Sequence, residues 1–228
     1  MNTVIHSHDP ITAIGGGDVD FETLEQALSL APCLVAADGG ARAALAAGHA
    51  PKAVIGDLDS LEPSVRAQLD PETVHHLAEQ DSTDFDKLRR SVEAPLILGV
   101  GFLGRRLDHS LAVLSSLVSK PAPPTILLGP WDVVFHLNAS VTLDLPAGSR
   151  VSLFPIREVQ GRSSGLHWPI DGVPFAPDSR IGTSNKASGD GPVLLEMDGP
   201  GMLVMLSRDA FSAVWDSFAA PRGKRRNR

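Results

Sequence analysis

Tyrosine is absent from the 228 residues, and aromatic residues make up only 5% of the chain. There is one cysteine, Cys33, so the chain has neither an internal disulfide nor a pair of thiolates to hold a metal. A lone cysteine is typical of a reducing compartment. The N-terminus lacks the basic start and apolar core of a signal peptide, and no apolar run approaches the ~20 residues of a membrane span. We therefore expect a cytoplasmic protein with no membrane association.

Positive charge is also scarce. Asp and Glu number 27 against 20 Lys and Arg, which gives a formal net charge of −7 and argues against a nucleic-acid-binding protein. The basic residues that follow Pro221 are concentrated in residues 222–228, where we expect a flexible, solvated tail. The 43% hydrophobic content is sufficient for one large domain or two modest ones.

The first half of the chain alternates short apolar runs with segments of helical periodicity. This alternation of predicted strands and helices indicates βαβ units, and it predicts an α/β domain with a mainly parallel sheet over residues 1–128. From Trp131 onward, short β-rich runs are separated by proline and glycine turns, and a helical pattern returns only at 210–218. Residues 129–221 are therefore predicted to form an all-β sandwich. Within them, residues 165–170 and 182–185 taken alone are typical of turns.

Acidic residues follow several of the predicted strands. Asp57 and Asp59 come directly after the apolar run that ends at Ile55, and two carboxylates at alternate positions repel each other unless a cation or proton lies between them. Similar positions are held by Asp38, Asp81, Asp84 and Asp108. In parallel sheets such strand ends lie at one edge, where ligands bind.

This density of carboxylates favours a hard divalent cation, and we expect Mg²⁺ with several retained waters. Arg106, in a glycine-containing loop, offers a donor fork suited to phosphate oxygens, and we expect it to point inward, because it lies two residues from Asp108 and so shares its direction. Thr83 or Ser82 is expected to cap a helix over 85–92. The residues themselves thus predict Mg²⁺-dependent chemistry on a phosphorylated small molecule and leave the acceptor open.

Five blocks in this order closely resemble the thiamine pyrophosphokinase (thiamine diphosphokinase) family. They are ADGGA at 37–41, IGDLDS at 55–60, QDSTDF at 80–85, GRRLDH at 104–109 and TSN at 183–185. The resemblance implies an N-terminal catalytic domain that binds nucleotide and metal and a C-terminal domain for thiamine binding and dimerisation. It also implies a homodimer with thiamine near its interface, and transfer of pyrophosphate from ATP to the thiamine hydroxyl with release of AMP.

The resemblance assigns roles to individual residues. Asp57, Asp59 and Asp84 are the implied metal ligands and central catalytic acids, and either Asp84 or Asp59 would accept the hydroxyl proton. Arg106, as a phosphate contact, and Asp108 complete the implied catalytic set. The implied nucleotide and thiamine contacts are Asp38, Gly39, Gln80, Asp81, Thr83, Arg106, Trp168, Thr183, Ser184 and Asn185.

Two alternatives stay open at this point. The sequence Asp57-Leu58-Asp59-Ser60 after a strand also resembles the haloacid-dehalogenase-like phosphatases, in which the first aspartate is a nucleophile. That family requires a downstream lysine and a later acidic pair, and residues 104–109 do not have that arrangement. The other alternative is a non-enzymatic sensor of thiamine or nucleotide that uses its second half as an interaction surface.

Overall fold

The computed structural model describes residues 3–79, 81–104, 106–119 and 122–219. The chain divides into two compact units, Met1–Pro130 and Trp131–Arg228. No helix among the described residues is long and apolar enough to cross a lipid bilayer. The predicted basic tail at 222–228 lies outside the described residues.

The first unit alternates strands and helices. In chain order it contains β1 (Ile5–His6), β2 (Ile11–Ile14), α1 (Phe21–Leu30), β3 (Cys33–Ala37), α2 (Gly40–Ala46), β4 (Ala53–Gly56), α3 (Pro63–Arg66), a 3-10 turn (Pro71–Thr73), β5 (Val74–His76), α4 (Asp84–Arg90), β6 (Val92–Glu93), β7 (Ile97–Val100), α5 (Leu107–Ser119) and β8 (Thr125–Leu128).

The strand pairs of this unit run in parallel. β2 pairs with β7 and β7 with β8, while β3 pairs with β4 and β4 with β5. A short pair joins β1 to β6, and an isolated bridge connects Ile11 with Pro32. Side chains such as Ile11, Val35, Ile55 and Ile97 are fully buried in one apolar core, so the strand ends that carry the acidic residues are held by a rigid base.

Helix α1 begins at a side-chain cap. Asp20 has extended backbone angles, and its carboxylate accepts a 2.7 Å hydrogen bond from the backbone N–H of Thr23. Leu24 and Ala27 then recur at helical spacing and are buried. Of the two acids just before this helix, Asp18 and Asp20, it is Asp20 that caps it.

Replacing Asp20 by alanine is expected to lower the free energy of unfolding by about 1 kcal/mol, because one donor at the start of α1 loses its partner. Chemical denaturation of the purified variant measures this. Ser207→Ala is the matched control, since Ser207 holds the same position before a 3-10 turn and makes no side-chain cap bond. Equal losses in the two variants would contradict the capping role.

Helix α4 carries the charged residues Asp84 and Lys87, and side-chain hydrogen bonds fix the residue at which it begins. Thr83 accepts a hydrogen bond from the backbone N–H of Asp86, and the Asp86 carboxylate accepts one from the N–H of Thr83, which completes a capping box. The predicted cap is therefore confirmed as Thr83. Phe85 and Leu88 are buried and fix the rotation of the helix.

The second unit is built from antiparallel pairs. Its elements are β9 (Asp132–Leu137), β10 (Ser140–Leu143), β11 (Arg150–Pro155), β12 (Gly161–Ser164), β13 (Gly182–Lys186), β14 (Val193–Met197), β15 (Met202–Ser207), a 3-10 turn (Arg208–Ala210) and α6 (Phe211–Ala219). β11 lies between β13 and β15, and β15 also pairs with β9. A separate three-stranded sheet has the order β10-β14-β12.

Two of these strands were not expected. Residues 182–185, typical of a turn by composition, belong to strand β13 because β11 supplies an antiparallel partner for them. Residues Gly161–Ser164 form β12 in the same way, against β14. Small polar residues lack the alternation that marks a strand in sequence, so the pairing partner decides their conformation.

Candidate active site

A buried carboxylate lies at the end of β3. Asp38 is 1% exposed and has a φ of 32°, in the left-handed region that non-glycine residues rarely adopt. The backbone N–H of Ser60 donates to its Oδ2 atom at 3.2 Å. Its other oxygen, Oδ1, is buried and has no hydrogen-bond partner among the described residues.

Burial, with a smaller contribution from the charges of Asp84, Asp59 and Asp57, raises the pKa of Asp38 to about 6, although the hydrogen bond from Ser60 opposes the shift. Keeping a buried carboxylate ionised costs free energy unless a nearby cation compensates its charge. The unpartnered oxygen of Asp38 is therefore a feature that a bound cation would explain.

Asp57 and Asp59 bring two further carboxylates to the same place. One ligand oxygen from each of Asp38, Asp57 and Asp59 lies within 4.8 Å of the others. Leu58, between the two acids that follow β4, has a φ of 63°. Ser60 Oγ donates to Asp59 Oδ1 at 3.0 Å, and Asp59 is exposed whereas Asp57 is partly buried.

Gly56 allows a fourth carboxylate, that of Asp84, to approach from the start of α4. A Cβ atom added to Gly56 would lie 2.8 Å from the Cβ of Asp38 and 3.0 Å from Oδ1 of Asp84. These distances are shorter than ordinary van der Waals contacts. The missing side chain at position 56 is thus what brings the two acids this close.

Lys87 is the residue of this cluster that the sequence analysis missed. Its Nζ atom lies 2.7 Å from Asp57 Oδ2 and 3.1 Å from Asp84 Oδ1, and its side chain is 1% exposed. Burial alone would lower the pKa of Lys87, but the hydrogen bonds to Asp57 and Asp84 outweigh it, and the net shift is upward. The same contact with Lys87 lowers the pKa of Asp57.

A sequence signal for Lys87 did exist. Asp84 and Lys87 are three residues apart on one helix and so lie on the same face, and the neighbours Phe85 and Leu88 are apolar. The spacing identifies the face that Lys87 shares with Asp84. It does not reveal that Asp57, 30 residues earlier, lies opposite.

The donor set fits a hard divalent cation. It consists of carboxylate oxygens, the ligands that Mg²⁺ and similar ions prefer. It also includes the buried, unpartnered Oδ1 atom of Asp38. The cluster in the folded chain comprises Asp38, Asp57 and Asp59, whereas the sequence had implied Asp84 as the third ligand.

The other implied residues of the first unit have varied surroundings. Arg106 donates to both carboxylate oxygens of Asp108, at 3.2 Å from Nε and 2.6 Å from Nη2, so their shared direction is confirmed. The expected inward orientation of Arg106 is wrong, because about two-thirds of each side chain is exposed and the surrounding loop does not cover the pair. Gly39 precedes α2, and a Cβ there would come no closer than 3.7 Å to Gly16. Gln80 lies outside the described residues.

A concavity of about 390 Å³ borders the start of α4 and one face of α5. Its lining is mostly polar and includes two of the implied contact residues, Asp81 and Thr83; the full lining is Asp81, Ser82, Thr83, Asp86, Ala112, Ser115 and Ser116. Its size suits a small molecule rather than a macromolecule.

In the second unit the implied thiamine contacts form one local structure. Asn185 is buried and holds the backbone of Trp168 through two hydrogen bonds, at 2.7 Å and 3.2 Å. The indole ring is 54% exposed, with Lys186 Nζ 5.5 Å from its centroid. Thr183 and Ser184 are exposed, and Ser184 has a φ of 66°.

Comparison with known proteins agrees with the resemblance in the sequence. Residues 24–127 match the family described as "Thiamin pyrophosphokinase, catalytic domain". Thiamine pyrophosphokinase 3 of Oryza sativa subsp. japonica is 27% identical over 156 residues, and thiamine pyrophosphokinase 1 of Arabidopsis thaliana is 26% identical over 161. Each alignment covers 60% of this chain and 58% of the plant protein.

Solved structures share the fold. The thiamin pyrophosphokinase from Candida albicans superimposes with a TM-score of 0.74 at 14% identity and covers 90% of this chain and 93% of its own. The yeast thiamin pyrophosphokinase gives a TM-score of 0.72 at 17% identity, with coverages of 91% and 92%. Residues 24–127 are thus similar to the catalytic domain of the thiamine pyrophosphokinases, and the chain shares the fold of their solved structures.

Proposed function

We propose that this protein is a thiamine pyrophosphokinase, which transfers pyrophosphate from ATP to the hydroxyl of thiamine and releases AMP. The observation that carries the proposal is the cluster of Asp38, Asp57 and Asp59, which lies inside the segment that matches the catalytic domain of that family. Chemistry on a triphosphate requires such a cluster because the substrate brings several negative charges that a cation must neutralise.

The cation we propose is Mg²⁺, held by Asp57 and Asp59 together with Asp38. The support is the oxygen-only donor set and the unpartnered Oδ1 of Asp38. When bound, the ion supplies charge neutralisation and polarises the phosphoryl oxygens. Asp84 contributes its charge nearby, where it contacts Lys87.

The proposed reaction is an in-line attack of the thiamine hydroxyl oxygen on the β-phosphorus of ATP. The new oxygen–phosphorus bond forms as the bond from the β-phosphorus to the oxygen bridging it to the α-phosphate breaks, and AMP leaves with that electron pair. The hydroxyl proton passes to a carboxylate and then to solvent. Asp59 suits this role better than Asp84, because Asp59 is exposed and Asp84 already accepts a hydrogen bond from an ammonium group.

Arg106 is proposed as a phosphate contact, with Asp108 orienting its guanidinium through the bidentate pair. Gly39, Gln80, Asp81 and Thr83 are proposed to contact the nucleotide or thiamine. The concavity beside Asp81 and Thr83 supports a small-molecule site there.

Thr183, Ser184, Asn185 and Trp168 are proposed to contact thiamine. The indole ring of Trp168 suits the cationic thiazolium, because an aromatic face attracts a cation and this one already lies near the Lys186 ammonium. Asn185 would act by holding the Trp168 backbone.

Trp168→Ala is expected to raise KM for thiamine about tenfold with little change in kcat, since one cation–π contact contributes about 1–2 kcal/mol to binding. Steady-state kinetics with thiamine as the varied substrate measure this. Trp131→Ala is the control, because Trp131 is also exposed and has no proposed role. A variant with unchanged KM for thiamine would remove Trp168 from the site.

The wider proposal includes the organisation of the chain. The parallel pairs of β2, β3, β4, β5, β7 and β8 support a mainly parallel α/β catalytic domain at 1–128. The antiparallel strand pairs of the second unit support a thiamine-binding and dimerisation sandwich at 129–221. We also propose a homodimer, on the resemblance to the family. A cytoplasmic location is supported by the free thiol of Cys33.

Turnover of ATP to AMP that depends on added thiamine tests the function. A protein that binds both ligands without turnover would be a sensor instead. Lys87 beside Asp57 meets one requirement of the phosphatase alternative, although the shared fold does not favour it. Trapping of a phosphorylated Asp57 would favour that alternative, and its absence during turnover supports direct transfer.

A further inference from the structure

A buried lysine side chain lies between two carboxylates of the site, those of Asp57 and Asp84. Lys87 Nζ bridges Asp57 Oδ2 at 2.7 Å and Asp84 Oδ1 at 3.1 Å. The lysine side chain is 1% exposed, against 15% for Asp57 and 33% for Asp84. Burying an ammonium group is costly unless it is paired, so its position reflects the two carboxylates around it.

The two carboxylates come from different elements. Asp57 follows β4, and Asp84 begins α4, so without a cation between them the two charges would repel each other across the joint between strand and helix. Enzymes of phosphoryl transfer commonly place a second divalent cation between carboxylates of this kind. Here the space is filled by a group that belongs to the chain.

We propose that Lys87 is a positioning residue that takes the place of a second divalent cation, so that the site binds a single metal ion, at Asp38, Asp57 and Asp59. The inference rests on the metal site of the proposed function. Lys87 holds Asp57 by Oδ2, and this leaves Oδ1, 3.4 Å from the backbone nitrogen of Asp59, directed away from the ammonium group. Asp57 is thereby oriented before any metal arrives.

In this role, Lys87 determines how many metal ions the site binds. Two carboxylates and retained waters are sufficient to bind Mg²⁺ or Mn²⁺, and removal of the ammonium group would leave Asp57 and Asp84 as such a pair. Methionine at position 87 keeps a long unbranched side chain and removes the charge. The variant Lys87→Met should therefore gain a binding site that the wild type lacks.

The experiment counts Mn²⁺ ions bound per chain by calorimetry, without nucleotide, on the whole 228-residue chain. We expect one ion for the wild type and two for Lys87→Met. We also expect Mn²⁺ to raise the thermal midpoint of Lys87→Met by at least about 5 °C more than that of the wild type, since the ion relieves the repulsion between the two acids.

Two further variants keep the test decisive. Arg90→Met is the matched control, because Arg90 lies on the same helix and pairs with Glu79; it should bind one ion with a wild-type thermal shift. The double variant Lys87→Met/Asp84→Asn removes one charge of each sign, and it should fold and bind one ion even if Lys87→Met alone does not fold.

The outcomes separate the two proposals. Two ions in the wild type or in the double variant, or one ion in a folded Lys87→Met, would overturn the role of Lys87 while leaving the metal site intact. Failure of the wild type to bind any Mn²⁺, alone or with ATP, would instead refute the metal site of the proposed function.

Discussion

Asp57→Asn is expected to lower the rate of thiamine-dependent AMP formation by a factor of about 10³, with the fold retained. Asparagine has nearly the same shape, so the change removes charge and little else. Asp57 is the residue that belongs both to the three-carboxylate cluster and to the contact with Lys87. Its loss therefore removes a proposed metal ligand and the partner of a buried ammonium group, and electrostatic terms of this kind dominate phosphoryl transfer.

Initial rates of AMP release, measured by chromatography at saturating ATP and thiamine, check this expectation. Asp178→Asn serves as the control, because Asp178 is an exposed acid in the second unit and has no proposed role. Circular dichroism confirms that both variants are folded. An Asp57→Asn protein that retains more than about a tenth of the wild-type rate would contradict the assignment.

Gly56→Ala is expected to lower the same rate by a factor of about 10–100 and to cost about 1–3 kcal/mol of folding stability. The added methyl group would lie 2.8 Å from the Cβ of Asp38 and 3.0 Å from Asp84 Oδ1, so one or both carboxylates must move. A displacement of about 1 Å at a catalytic group is sufficient for a loss of this size.

Gly199→Ala is the matched control for Gly56→Ala, since a Cβ at Gly199 meets no atom within 4 Å. Kinetics and urea denaturation of the two variants separate a local effect on the site from a general effect of removing glycine. A Gly56→Ala enzyme with wild-type kinetics would mean that Asp38 and Asp84 do not have to approach each other for activity.

Local features of the fold were predictable from sequence because local interactions determine them. Thr83 caps α4 by contacts within three residues. Arg106 and Asp108, two residues apart, share a direction as their spacing suggested. The expected inward orientation of Arg106 was wrong, because exposure depends on what surrounds the loop and the spacing contains no such information.

The parts of the site that sequence reasoning missed depend on contacts between distant segments. Lys87 is three residues from Asp84, yet its role arises from Asp57, which belongs to another element. The strand β13 likewise exists because β11 lies beside it, although its own residues are small and polar. Composition identified the carboxylates and the fold determined which of them meet.

The most direct test of the proposed function is a product analysis of the purified protein by ³¹P NMR, with ATP, thiamine and Mg²⁺ present. Transfer of an intact pyrophosphate predicts AMP and thiamine diphosphate in equal amounts, with no products when thiamine or the metal is left out. Formation of ADP with thiamine monophosphate, or release of inorganic phosphate without thiamine, would contradict it.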